Sequence, residues 1–348
     1  MSDPDRFFQF TTPGAQEWWY FDAISDDGRD TIVLVWYAGL PFDPDYGVAA
    51  IKHVRDPQRF PAPNALDHCA IGVSWYRDGK TVAYALNGFR AKDFHHTLEP
   101  FAIDIAGNCL ARNADGYLLA VSTPVVNGRT QITSHLRFTP ASGTEPLERD
   151  LGSTTGPHVW TLVAADCHVE GEISCGAATL KFRGRGYHDH NAGSEEISLG
   201  MNRWRWGRLH SGPLTHVYYH CQPQTGPESG VWITCRDGKP ETVREAVKFL
   251  ESPESRRNVF GIHHGQSLRI TGGSSGLVDA RSRCVDDGPF YRRWVGEIGV
   301  LGETGGEGAN HGLGISELLD TRNLNRSLFN WMIPYRLKRP NAQIESVS

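Results

Sequence analysis

Cys69-Ala-Ile-Gly-Val-Ser-Trp-Tyr-Arg77 is followed by Asp78-Gly79 and then by Thr81-Val-Ala-Tyr-Ala-Leu86. The two flanks are short alternating segments, the period of a strand with one buried face. The Asp-Gly pair between them supplies the positive φ angles that a tight hairpin demands. Outward from this hairpin the same reading repeats at residues 31–37, 101–105, 116–122, 130–139, 159–163, 169–174 and 179–182. Asp27-Gly28, Asp115-Gly116 and Asn127-Gly128 mark further turns. Such a run predicts an all-β chain folded as a sandwich or a closed barrel.

Thirty-eight glycines, twenty prolines and ten tryptophans, with little helical pattern, agree with that class. At 348 residues the chain is long enough for two domains of ~150 residues each. A second set of strands is expected at 203–209, 216–220, 231–235, 267–271 and 294–301. Asn191-Ala-Gly-Ser-Glu-Glu196 is a polar break, which places the expected domains at 1–193 and 194–348. Residues 241–250 fit a helical stripe and a strand equally. The glycine-rich stretch 302–314 reads as a mobile loop.

Composition excludes several function classes. With 35 basic against 40 acidic residues and a net charge of −5, nothing favours nucleic acid. Seven cysteines without a CxxC pair argue against a disulfide framework and a zinc ribbon, and fit a reducing cytosol. Acids stand near the first residue where a signal peptide needs bases, and no apolar run approaches the ~20 residues of a spanning helix. A cytoplasmic protein is expected.

Chemistry concentrates between His158 and Trp206. Residues two apart on a strand share a face, so His158 pairs with Trp160, Tyr187 with Asp189, and Trp204 with Trp206. An acid, a candidate base and several π-faces would thus converge on one apolar cavity. Inside it, desolvation would raise the Asp189 pKa and keep the carboxyl a proton donor. His188 and His190 flank Asp189 but alternate to the other face, so no metal site is expected. His95-His96 and His263-His264 read as surface histidines. Strict alternation from Leu180 and Phe182 places Tyr187 and Asp189 on the polar side of Lys181, Arg183 and Arg185. A bulge at Gly184 or Gly186 would reset that facing, and the sequence leaves both arrangements open. In Trp18-Trp19-Tyr20-Phe21, two rings would cap a core while the other two face outward or into a cavity, so the row reads either as an aromatic plug at a barrel end or as Trp19 or Tyr20 lining the pocket.

At these residues the chain resembles the carotenoid hydratase (hydroxyneurosporene synthase) family. The resemblance rests on Glu17-Trp18-Trp19-Tyr20-Phe21-Asp22, His158-x-Trp160, Gly186-Tyr187-His188-Asp189-x-Asn191-x-Gly193 and Trp204-x-Trp206, with Asp287-Gly-Pro289-Phe290-Tyr291 and Trp331-Met-Ile-Pro334-Tyr335-Arg336 near the end. It implies two lipocalin-like β domains, no cofactor, and catalysis by His158, Trp160, Tyr187 and Asp189. Trp19, Tyr20, Asn191, Trp204 and Trp206 become candidate substrate-binding residues.

The expected reaction adds water to a terminal isoprenoid C=C. Asp189 would protonate the alkene, and Trp160, Tyr187, Trp204 or Trp206 would each stabilise the tertiary cation by ~0.5–2 kcal/mol. His158 would take the proton of the attacking water. The wider superfamily resembles cofactor-free cyclases, so a polyene cyclase stands as one alternative and a carrier of an apolar ligand as another. Residues 328–339 mix apolar and basic side chains and are a candidate for peripheral membrane contact.

Overall fold

The computed structural model describes residues 3–126, 130–152, 154, 156–245, 247–273, 275–281, 283–301, 310–324, 326 and 337–338. The Asn127-Gly128 turn, residues 302–309, the Trp331–Arg336 motif and most of the 328–339 tail lie outside them.

The first sheet holds β1 (Gln16–Ser25), β2 (Asp30–Ala38), β3 (Ala70–Arg77), β4 (Lys80–Gly88), β5 (Phe94–Leu98), β6 (Phe101–Ile105), β7 (Asn108–Asn113), β8 (Gly116–Pro124), β9 (Gln131–Pro140), β10 (Leu147–Asp150), β11 (His158–Cys175) and β12 (Ala178–Gly193). Its order is β4-β3-β2-β1-β12-β11-β9-β8-β7-β6-β5, with β10 beside β11. The last strand therefore pairs with the first, Asp189 opposite Tyr20, in an unbroken register from Gln16 to Ser25. Asp78 and Gly79 both take positive φ at the β3–β4 turn, as the Asp-Gly pair predicts.

The second sheet repeats this plan. It uses β13 (Met201–Ser211), β14 (Leu214–Pro223), β15 (Ser229–Arg236), β16 (Lys239–Arg244) and β17 (Lys248–Glu251). A separate ribbon, β18 (Ser255–Arg257) with β19 (His263–Gly265), precedes β20 (Leu268–Gly272), β21 (Ser275–Asp279), β22 (Cys284–Asp287), β23 (Tyr291–Leu301) and β24 (Asn310–Asp320). The order is β16-β15-β14-β13-β24-β23-β21-β20-β17, again with the first strand beside the last.

Each sheet curls around its own core. Trp75 and Ala85 at one end of the first sheet belong to the same buried cluster as Ile103, Leu110 and Leu119 at the other. Leu209, Tyr218, Trp232 and Ile270 fill the inside of the second. A third apolar cluster lies between the sheets, where Tyr20, Trp160 and Tyr187 of one meet Trp204, Trp206 and Tyr219 of the other. That arrangement explains the facing of Asp189. No bulge occurs in β12 along its pairing with β1; the irregularities fall in β11, around Ala164. Lys181 and Arg183 are exposed, whereas Tyr187, Asp189 and Asn191 further along the same face are buried. The outer face is polar where it meets water and buried where the second sheet covers it.

The structure also decides or corrects other expectations. Two helices, α1 (Pro44–Arg55) and the single turn α2 (Ile197–Gly200), form where none was read. Proline at the first position of α1 and Asp43, whose side chain accepts from the Asp45 amide, are the signals for α1. Residues 241–250 are strand on both sides of position 246. Residues 310–314, assigned above to a loop, pair in β24 with β23. His264 is buried beside Trp294, not on the surface, while His263, His95 and His96 are exposed. All seven cysteines are free. No helix among the described residues is long and apolar enough to cross a membrane.

Candidate active site

Strand register places the key side chains in two facing rows. On the first sheet Asp189, Tyr20, Val35, Gly72 and Leu86 stand side by side across β12, β1, β2, β3 and β4. Opposite them on the second sheet run Tyr219, Trp206, Glu317 and Arg293 across β14, β13, β24 and β23. Between the rows lies a cavity of about 520 Å³ whose wall includes His158, Asp189 and Asn191. Its size suits a small organic guest.

Asp189 is 3% exposed, and three donors surround its carboxyl. Trp160 Nε1 (3.0 Å) and Tyr187 Oη (2.8 Å) both donate to Oδ2. Asn191 Nδ2 donates to Oδ1 at 3.0 Å. Burial pushes the carboxyl up to about 7, and the charges of Glu317 and Asp22 push the same way; the bonds from Trp160 and Tyr187 oppose them. Desolvation wins because indole and phenol donors are neutral and return less than the lost hydration. With Oδ2 holding two donors and Oδ1 one, the acidic hydrogen belongs on Oδ1.

His158 is linked to this group by an ordered chain. Asn191 gives its N–H to Asp189, so its Oδ1 accepts from Tyr219 Oη at 3.1 Å. Tyr219 has one hydrogen, which makes His158 Nε2 the donor across their 2.9 Å contact. Nδ1 then carries the lone pair. Burial lowers the imidazole to about 4, against weaker opposing effects of Asp150 and Glu195. Between about pH 4 and pH 7 the pair is a neutral acid and a neutral base.

Trp204, Trp206, Tyr20, Asn191, His158 and Asp189 all line the cavity. Tyr187 and Trp160 stand behind the carboxyl, outside that lining, and Tyr187 Oη itself accepts from Trp206 Nε1 at 3.3 Å. Trp19 is a correction. It faces the core of the first sheet, stacks on His190 at 4.8 Å and donates to the Asp5 carbonyl. Tyr20 faces the cavity, and alternation denies its neighbour the same side; Trp18, two residues back, lines the cavity instead. His188 and His190 likewise turn inward, where they meet Asp5 and Glu17 at 2.8 Å each.

The sequence reading missed Tyr219, Glu317 and Arg293. Glu317 accepts from Tyr20 Oη (3.2 Å) and Arg293 Nε (2.8 Å). Alternation along His216–His220 could have flagged Tyr219; nothing in the sequence joins β23 and β24 to β1.

The family described as carotenoid hydratase CrtC matches residues 49–345. A protein of Chlorobaculum tepidum named hydroxyneurosporene dehydrogenase is 26% identical, over 95% of this chain and 89% of its own. The acyclic carotenoid 1,2-hydratase of Thiocapsa roseopersicina is 27% identical over 97% of this chain and 77% of its own. Among solved structures, kievitone hydratase of Nectria haematococca superposes with a TM-score of 0.54 at 10% identity, covering 91% of this chain and 94% of its own. A Nitrosomonas europaea protein described as AttH gives 0.59 at 13%, covering 92% and 98%. These structural likenesses speak to the fold.

Proposed function

Because the chain belongs to the carotenoid hydratase family, we propose that it adds water across a terminal trisubstituted C=C of an acyclic isoprenoid, with Asp189 as acid and His158 as base. The observation that carries this reading is a neutral carboxyl at the wall of an apolar cavity that a neutral imidazole also lines.

The π-electrons of the alkene take the Asp189 hydrogen, so the O–H bond breaks and a C–H bond forms at the less substituted carbon. The tertiary cation is left among Tyr20, Trp204 and Trp206, each worth ~0.5–2 kcal/mol by analogy with ammonium ions. Trp160 and Tyr187 serve the departing proton, because their donors hold the carboxylate that remains. Water attacks the cation, and its surplus proton passes to His158. A base near 4 suffices, since a protonated tertiary alcohol is far more acidic. From an imidazolium near 4 to a carboxylate near 7, return of the proton to Asp189 is downhill. The sum is alkene plus water.

The substrate is apolar, and the tail at 328–339 is proposed to touch the membrane surface that would supply it. The test is turnover of an acyclic carotenoid in ¹⁸O-labelled water. One labelled oxygen in the product supports hydration; an isomer of unchanged mass refutes it.

A further inference from the structure

The cavity has a second polar pole that the proton transfers do not use. Arg293 lines it and is 6% exposed. Its Nε donates to Glu317 at 2.8 Å, and Nη1 donates to Tyr76 Oη at 3.1 Å and Ser74 Oγ at 3.4 Å. Nη2, with two N–H groups, has no protein hydrogen-bond partner among the described residues. An ion pair at the wall of an apolar cavity is weak support for stability in its own right, and donors left without a protein acceptor there are free to meet a guest. Both features make sense if something in the cavity supplies an oxygen.

We propose that Arg293 Nη2 binds a neutral oxygen acceptor on the substrate, a hydroxyl, ether or carbonyl, so that the natural guest is an oxygenated isoprenoid rather than a pure hydrocarbon. Charge selects the neutral acceptor. Glu317 already balances Arg293, and Asp286 lines the same wall, so a phosphate or carboxylate would meet net repulsion.

Register sets the length. Ser74 on β3 stands three strands from Tyr187 on β12, two residues short of Asp189, which sets it about 16 Å from the Asp189 position at ~4.8 Å per strand and ~3.4 Å per residue. An extended chain advances ~1.2 Å per bond, which puts the oxygen roughly a dozen bonds from the reacting alkene. Farnesol, with its hydroxyl about eleven bonds from the terminal alkene, matches that span.

This inference rests on the hydratase reading only for seating the alkene at Asp189. The test measures binding, not turnover, by quenching of tryptophan fluorescence with farnesol and with the hydrocarbon farnesene. Wild type is compared with Arg293→Met/Glu317→Gln, which removes both charges together. The farnesol-to-farnesene affinity ratio should be about tenfold higher in wild type, the worth of one hydrogen bond from a charged donor. An unchanged ratio overturns the proposal, including the case in which the pole holds only water. If the double variant does not fold, Arg293→Lys keeps the charge and removes the fork; its ratio should fall, and a wild-type ratio there overturns the proposal equally. A falling ratio without label incorporation in turnover would leave the oxygen site standing and refute hydration.

Discussion

Asp189→Asn should change how stability depends on pH before any substrate is added. The carboxyl titrates at about 7 in the folded protein against an ordinary 3.8. A group whose folded pKa is raised contributes stability that is fully present below its unfolded pKa and is lost as pH rises through the folded one. Roughly three units at ~1.36 kcal/mol each make about 4 kcal/mol, lost by the wild type relative to a permanently neutral isostere. Between pH 5 and pH 7 the loss is about 2 kcal/mol. The asparagine brings its own offset, because its amide hydrogens contest the donors Trp160, Tyr187 and Asn191, but that offset does not titrate. Urea unfolding of both proteins at pH 5, 6, 7 and 8 reads the difference directly. The variant should gain on the wild type as pH rises, until the gap levels off above pH 7. Parallel curves would show that Asp189 is not held neutral by burial, and the reasoning would fail.

The remaining predictions concern rate and packing. Asp189→Asn should reduce turnover at least ~10³-fold with little change in ligand binding, read by steady-state kinetics beside fluorescence titration. The wild-type kcat/KM profile should be flat between about 4 and 7, where His158 is unprotonated and Asp189 protonated, then fall about tenfold per pH unit above 7. Tyr219→Phe removes the contacts to Asn191 and His158, and should lower kcat up to about a hundredfold with KM nearly constant; an unaltered kcat removes Tyr219 from the network. Gly186→Ala would set a Cβ 2.6 Å from Val169 and 2.7 Å from the Phe138 ring, so it should destabilise by ~1–3 kcal/mol in urea unfolding.

Strand positions were legible because period-2 patterning and Asp-Gly turns are local signals, and the hairpin at Asp78-Gly79 forms as they imply. The meeting of Asp189 with Tyr187, Trp160 and Asn191 was legible for a related reason: short motifs on paired strands β11 and β12 bring them together. What the sequence concealed is tertiary. The polar side of β12 looked wrong for a pocket only while the second sheet was unknown, since that sheet covers Tyr187 and Asp189 but leaves Lys181 and Arg183 in water. Trp19 was misassigned because a row of four aromatics has no polar residue to mark which face is which. Arg293 and Glu317 lie roughly 270 residues or more from Tyr20 in the chain, and only the stacking of two separate sheets makes them neighbours.

The central claim is a protonated Asp189 carboxyl at the cavity wall, and infrared difference spectroscopy between wild type and Asp189→Asn observes that group most directly. At pH 5.5 the difference spectrum should contain the carbonyl stretch of a neutral carboxylic acid, which should give way to carboxylate bands as pH passes through about 7. Carboxylate bands already present at pH 5.5, with no acid carbonyl, would contradict the account.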